Sequence, residues 1–321
     1  MKYIVLKGFE GFGDRLQSLL YCIKYAKHTQ RILAIDWTDY MWCENDNENF
    51  EHYLKLEDVN YIEYHKFAII YEKYNSKMNF SIFPSIWKNK VLKRPDNYMY
   101  EKNYTFLKTF NDIIINKEND YNEDIVIFAS VQTRIYNCKL FYKHIRLQTN
   151  VVEYIHNHPF YKNIIQNQKS YISIHLRGGD RMIENMEHSF SNYSYNYNDY
   201  IKSIIEKLSQ RSTKIKDLLI VSDSNTLLEK CHEKLSLNKN YTIHTTNNFK
   251  INETNGLHKI RLDNISKEQI NIQMIADFYF ISRAKVVLND TISNFSNMAK
   301  LVRFNPYFEK YNNEYKIQIN I

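Results

Sequence analysis

Apolar and polar positions along the chain follow two periods, and their alternation predicts the elements. The run at 2–7, Lys-Tyr-Ile-Val-Leu-Lys, has the length and apolar content of a buried strand. Leu16, Leu19, Leu20, Ile23 and Ala26 then recur at helical spacing up to about His28, and 31–36 forms a second strand. A turn with glycines at 8, 11 and 13 separates the first strand from the helix. Strand, glycine-rich turn, helix and strand make a βαβ unit, which calls for a parallel sheet with helices on its faces. From Trp37 to about Asn122 the pattern degrades. Asp-, Asn- and Glu-rich turns alternate there with short aromatic segments such as 61–64 and 67–70, and Pro84 and Pro95 bracket a stretch predicted to be irregular.

Regularity returns at Ile125–Ala129, which reads as a buried strand. An amphipathic stretch around Val151–His158, ending at Pro159, is the expected crossover between two domains. Strands are predicted at 170–176, 218–221, 241–244 and 285–288. Helices are predicted through Ile201, Ile204, Ile205 and Leu208, through Leu227, Leu228 and Cys231, from a Ser266/Gln269 capping box to Ser282, and up to Leu301. The fold class is therefore α/β. The expected division is 1–160, an N-terminal Rossmann-like, acceptor-side domain, and 161–321, a second Rossmann-like domain.

Composition narrows the class. A 44% hydrophobic and 25% charged chain of 321 residues has the content of a globular protein rather than a disordered one. Its 6 Gly and 4 Pro exclude collagenous or linker-rich architectures. No stretch approaches a membrane-spanning length, and the N-terminal apolar run is too short for a secretory signal, so a cytoplasmic chain is expected. The net charge of +7 is dispersed: 21 basic and 19 acidic residues lie in 1–150, and 22 and 17 in 151–321. Such an excess favours an anionic ligand without forming the polybasic tract of a nucleic-acid binder. Cys22, Cys43, Cys138 and Cys231 have no metal-ligand spacing and read as reduced thiols.

In open α/β sheets ligands sit beyond the C-terminal ends of the strands. Three second-half strands end in polar clusters: His175/Arg177/Asp180, Ser222/Asp223/Ser224 and Asn289/Asp290/Thr291/Ser293. Arg177, followed by two glycines, suits a phosphate, because its planar fork donates twice and the missing side chains admit the ligand. A structural ion pair to Asp180 or a contact with a helix C-terminus is the alternative. Gly8-x-x-Gly11-x-Gly13 has neither the dinucleotide-binding nor the P-loop spacing; by itself it reads as a strand-to-helix turn needing positive φ. His175 alone reads as a core histidine, and Asp277 as a solvated or capping carboxylate.

Taken together, these segments resemble one family. Gly11-Phe-Gly-Asp-Arg15-Leu-Gln-Ser-Leu19, followed by the strand 31–36 and Trp37, resembles its GGFGNRL opening. His175-Leu-Arg-Gly-Gly-Asp-Arg181 resembles the HxRRxDK/R motif of the α1,2-, α1,6- and protein O-fucosyltransferases, including the nodulation enzymes. The segment 219–228 resembles their ATDDxxLL block, and 256–258, 277–282 and 286–296 resemble the C-terminal blocks. The resemblance covers about the first 40 residues and 170–302. It implies a GT-B fold of two Rossmann-like domains facing a central cleft, with the C-terminal half holding the donor. It further implies inverting, metal-independent transfer of L-fucose from GDP-β-L-fucose to a hydroxyl of an oligosaccharide or glycoconjugate, with no cofactor.

Carried over residue by residue, Arg177 falls on the donor β-phosphate ligand, Ser293 on a pyrophosphate ligand, and His175 and Asp223 on guanosine contacts. Asp180 falls on the carboxylate that organises the loop, and Thr291 lies in the block 286–296 that contains Ser293. Gly11, Gly13, Asp14 and Arg15 would line the cleft from the N-terminal side. The family's general-base glutamate is replaced by Asn185, which leaves neighbouring Glu184 and Glu187 as base candidates. Gly178 replaces the second arginine of the motif, and Ile292 the first of two serines. Another GDP-sugar, or a non-catalytic nucleotide- or nucleic-acid-binding role, is the alternative reading.

Overall fold

The computed structural model describes residues 1–8, 10–45, 48–93, 120–129, 143–178, 197–210, 214–237, 240–246, 262, 264–289 and 293–303. Its chain divides into compact units at Asn150/Val151. In the first unit, β1 (Tyr3–Lys7), α1 (Phe12–Thr29) and β2 (Ile32–Asp36) form the predicted βαβ unit. They are followed by α2 (Phe50–Tyr53), β3 (Leu54–Leu56), α3 (Tyr64–Met78), β4 (Ile82–Phe83), β5 (Ile125–Phe128) and β6 (Ile145–Leu147). The sheet runs β2-β1-β5-β4 with every pairing parallel, and β3 pairs antiparallel with β6. The segment 67–70, expected to be an isolated aromatic piece, lies within α3. Among the described side chains of that helix, only Phe67 and Tyr71, one turn apart, are buried, packing in one cluster with Tyr3, Val5, Ile127 and Trp87, while Ile69 is 61% exposed. Such a narrow apolar stripe, set among polar neighbours, produces little helical periodicity.

The second unit holds β7 (Tyr171–Leu176), α5 (Tyr197–Ser209), β8 (Asp217–Ser222), α6 (Asn225–Ser236), β9 (Thr242–Thr245), α7 (Lys267–Arg283), β10 (Val286–Asn289) and α8 (Asn294–Arg303). Its sheet order is β10-β7-β8-β9, again wholly parallel. Ile172, Ile174 and Leu176 of β7 pack on one face with Ile201, Ile204 and Leu208 of α5 and Leu227, Cys231 and Leu235 of α6. The predicted capping box is formed: Ser266 accepts from the Gln269 amide, and the Gln269 side chain accepts in return from the Ser266 N–H. Helix α4 (Thr149–Asn157) covers the expected crossover, but the division falls near its start rather than at 160/161. The reason is packing: Val151 and Ile155 are buried, and the Tyr154 hydroxyl donates to Gln273 of α7.

Buried charges hold the first βαβ turn. The Arg15 guanidinium donates to both carboxylate oxygens of Asp39 at 2.8 Å and to the Glu10 carbonyl at 2.9 Å. It lies over the Trp37 and Trp42 rings at 5.5 and 4.9 Å, with neither its side chain nor that of Asp39 appreciably exposed. Beside it, Lys7 pairs with Asp36 and donates to Tyr64 Oη and the Lys93 carbonyl; burial pulls its ammonium below the ordinary lysine range and Asp36 opposes that pull. Positive φ, expected from the glycines, falls instead on Glu10 at 58°, while Gly11 is extended at φ −76° and Gly13 sits inside α1. Close approach is what demands a glycine here, at Gly8. A Cβ on that residue would lie 2.0 Å from Arg15 Nη1 and 2.7 Å from Trp37 Cδ1.

Gly8→Ala should therefore destabilise the protein by about 1–3 kcal/mol through overpacking. Arg15→Ala should cost more, about 3–5 kcal/mol, because it strands the buried Asp39 carboxylate. Denaturant unfolding of the two variants measures both; equal, negligible losses would contradict the packing described.

Candidate functional site

Register brings the described members of the three predicted clusters toward one edge of the second sheet. Leu176 pairs with Ser222 and Asn289 with His175, so the C-terminal ends of β7, β8 and β10 lie side by side. Because the strands are parallel, the segments after them emerge on the same edge. Ser224 caps α6 by accepting from the Leu227 amide, and its own N–H donates to Ser222 Oγ at 3.0 Å. Asn289 donates to Ser296 Oγ at 2.8 Å and Asn297 Oδ1 at 3.0 Å, tying β10 to α8. Ser293, immediately before α8, is buried.

Arg177 and Asp223 meet where β7 and β8 end. Arg177 Nη1 donates to Asp223 Oδ2 at 2.8 Å, and the Gly178 N–H donates to Asp223 Oδ1 at 2.5 Å. The carboxylate expected to face guanosine thus receives donors from two successive residues of the loop after β7. The Arg177 side chain retains 23% exposure against 9% for Asp223, so its fork reaches solvent from a largely buried partner.

On β7, Tyr171, Ser173 and His175 alternate with the apolar core residues and turn toward α7 and α8. The Tyr171 hydroxyl donates to the Phe280 carbonyl, and the His175 ring lies 5.4 Å from that of Phe295. His175 is buried, and its Nδ1 has no hydrogen-bond partner among the described residues. Burial, reinforced by Arg177, pulls the imidazole down to about 3, so the ring is neutral at neutral pH. A neutral imidazole keeps one acceptor nitrogen and one donor nitrogen for a ligand.

Asp277 corrects the sequence expectation of a solvated or capping carboxylate. It is buried and accepts from Gln273 Nε2 at 2.9 Å, while Gln273 in turn accepts from Tyr154. Burial pushes its carboxyl up to about 7. The signal was present in the sequence: Ile270, Ile272, Ile275, Ala276, Phe278 and Phe280 surround α7 on all sides, the mark of a helix buried all round. A carboxylate within such a helix has no solvated face to occupy.

Of the remaining candidates, Gly11 and Asp14 are half-buried and Gly13 is buried. Arg15 is not a surface ligand: it lies beneath the loop, engaged by Asp39 and the two indoles. Asp180, Glu184, Glu187 and Thr291 lie outside the described residues. Among the described residues, no group of three His, Cys, Asp or Glu side chains could hold a metal ion, and no helix is long and apolar enough to cross a membrane. Cys22, Cys43 and Cys231 are buried and not disulfide-bonded, and burial pushes the Cys231 thiol up to about 12.

Comparison with known proteins places this geometry. Residues 1–311 match the family Nodulation protein Z (NodZ). A crystal structure of NodZ α-1,6-fucosyltransferase soaked with GDP-fucose superposes with a TM-score of 0.65 at 17% identity, over 94% of this chain and 92% of that one. Fucosyltransferase NodZ from Bradyrhizobium gives the same TM-score and identity over 94% and 93% of the two chains. POFUT1 in complex with GDP follows at a TM-score of 0.55 and 13% identity, over 94% of this chain and 95% of its own. No curated protein matches the sequence. These likenesses show the α/β fold of the GT-B class.

The buried carboxyl makes stability depend on pH. With a folded value near 7 against an ordinary 3.8, Asp277 contributes stability that is complete below 3.8 and lost as pH rises through 7. Asp277→Asn removes this dependence. Its melting temperature relative to wild type should rise as pH climbs across that interval; a difference that does not change with pH would refute the assignment.

Proposed function

We propose that this chain, which the match over residues 1–311 shows to belong to the NodZ family, is a fucosyltransferase that moves L-fucose from GDP-β-L-fucose to a hydroxyl of an oligosaccharide or glycoconjugate, with inversion and without a metal. The carrying observation is Arg177 at the C-terminal end of β7, in motif order within a family match that spans both units. In the reaction the acceptor oxygen forms a bond to the fucose anomeric carbon as the bond from that carbon to the β-phosphate oxygen breaks. The acceptor proton leaves to a base, and GDP departs with an added negative charge. Stabilising that charge in the transition state is the principal task of the site.

Arg177 meets this task with a permanent charge and a planar fork matched to phosphate. Ser293 supplies a hydroxyl beside the start of α8, and His175 offers its neutral ring to the nucleoside. Asp180 and Thr291 complete the donor side in this reading. Glu184 and Glu187 are the candidates for the base that accepts the hydroxyl proton, and Gly11, Gly13 and Asp14 belong to the acceptor-side unit. The proposed division of labour assigns the donor to the second unit and the acceptor to the first, with no cofactor, and places the enzyme in the cytoplasm.

Calorimetry should find GDP bound in the presence of a chelator and preferred over UDP, ADP and CMP. Arg177→Ala should lower turnover of GDP-fucose by roughly 10²–10³-fold while the protein still folds and melts cooperatively. Retained turnover in that variant would remove Arg177 from the mechanism. GDP binding without fucose transfer would point to another GDP-sugar, and indifference to the base would overturn the donor assignment.

A further inference from the structure

We propose that Asp223 is a positioning residue that sets the orientation of Arg177 and of the backbone behind it, rather than a reader of the nucleotide base; this rests on the donor site proposed above. Its two carboxylate oxygens are directed at two consecutive residues of one loop. Oδ2 receives Arg177 Nη1 at 2.8 Å and Oδ1 receives the Gly178 N–H at 2.5 Å. The carboxylate is itself held. It follows β8 directly and precedes Ser224, whose hydroxyl caps α6 and whose N–H is bound by Ser222. Adjacent pairing of Leu176 with Ser222 makes the reach from one strand end to the next short.

The consequence follows from the shape of a guanidinium. An arginine side chain has four rotatable bonds, and losing their freedom on ligand binding opposes affinity. A bond from one nitrogen to a nearly buried carboxylate fixes the plane of the fork before any ligand arrives. A guanidinium carries five N–H donors, of which the bond from Nη1 to Asp223 uses one. The second bond matters equally, because Gly178 has no side chain by which to anchor the loop. Orientation at Arg177 acts on the departing diphosphate, so Asp223 bears on the phosphate end of the donor and on turnover.

Asp223→Asn and Asp223→Glu, each with a melting curve, separate the two roles. Binding of GDP, GMP and ADP is measured by calorimetry, and GDP-fucose turnover gives kcat and KM. A positioning role predicts that Asp223→Asn shrinks the preference for GDP over GMP by roughly tenfold, the scale of one charge-assisted hydrogen bond. The preference for GDP over ADP should survive, kcat should fall more than KM rises, and Asp223→Glu should recover part of the loss. Loss of the GDP-over-ADP preference with the GDP-over-GMP preference intact would overturn the proposal in favour of base reading. An Asp223→Asn protein with both preferences and kcat unchanged would overturn it as well.

Failure of the donor reading shows separately, as absence of GDP binding by the wild-type protein. In that event a double-mutant cycle of Asp223→Asn with Arg177→Ala in denaturant decides the pairing alone. Non-additive midpoints support it, and additive midpoints overturn it.

Discussion

Parallel register at the edge of the second sheet is the constraint on which the site depends. Hydrogen bonding of β7 to β8 on one side and to β10 on the other leaves no freedom in which residues emerge together. Once Leu176 is opposite Ser222, the next residues along are Arg177 and Asp223, and an ion pair between them is a near-inevitable outcome of strand pairing. Shifting β7 by one residue would turn His175 toward the aliphatic core of α5 and α6 and put an aliphatic residue in its place. Hydrophobic alternation in β7 therefore protects the chemistry at its end.

Several of the buried charges in this protein are paired. Arg15 and Asp39, Lys7 and Asp36, and Arg177 and Asp223 are each charge pairs at the ends of strands or the starts of helices. Taking such pairs out of water is costly, and their mutual attraction offsets the cost only when the geometry supplies further hydrogen bonds. Arg15 obtains them from Glu10 and two indole faces, and Lys7 from Tyr64 and Lys93. The two units use this device differently. In the first it closes a turn, whereas in the second it leaves one partner, Arg177, partly open to solvent.

Legibility in the sequence followed the strength of the apolar signal. The strand Asp217–Ser222 is built on a continuous apolar run and Tyr171–Leu176 on an alternating one, and both are readable within a residue or so. Helix α3 escapes the periodic pattern because its buried stripe is narrow, and Asp277 reads as solvated only on a helix with a solvated side, which α7 lacks. The site divides in the same way. Which residues cluster at the strand ends was legible, since they follow directly from the runs. What each one touches was not, because the engagement of Asp223 by Arg177 and of Arg15 by Asp39 joins residues distant in the chain. Partner choice across such separations is a property of the pairing, not of any local pattern.

The closeness of Gly8 to Arg15, Trp37 and Asp39 has a bearing on how this turn can drift among relatives. These four positions behave as a single unit of change: a side chain at 8 has room only where a smaller residue stands at 37, or a shorter one at 15. Removing the cation at 15 in turn releases the requirement for an acid at 39. Relatives should accordingly be sorted into chains that keep the whole set and chains that have exchanged it, with few intermediates between.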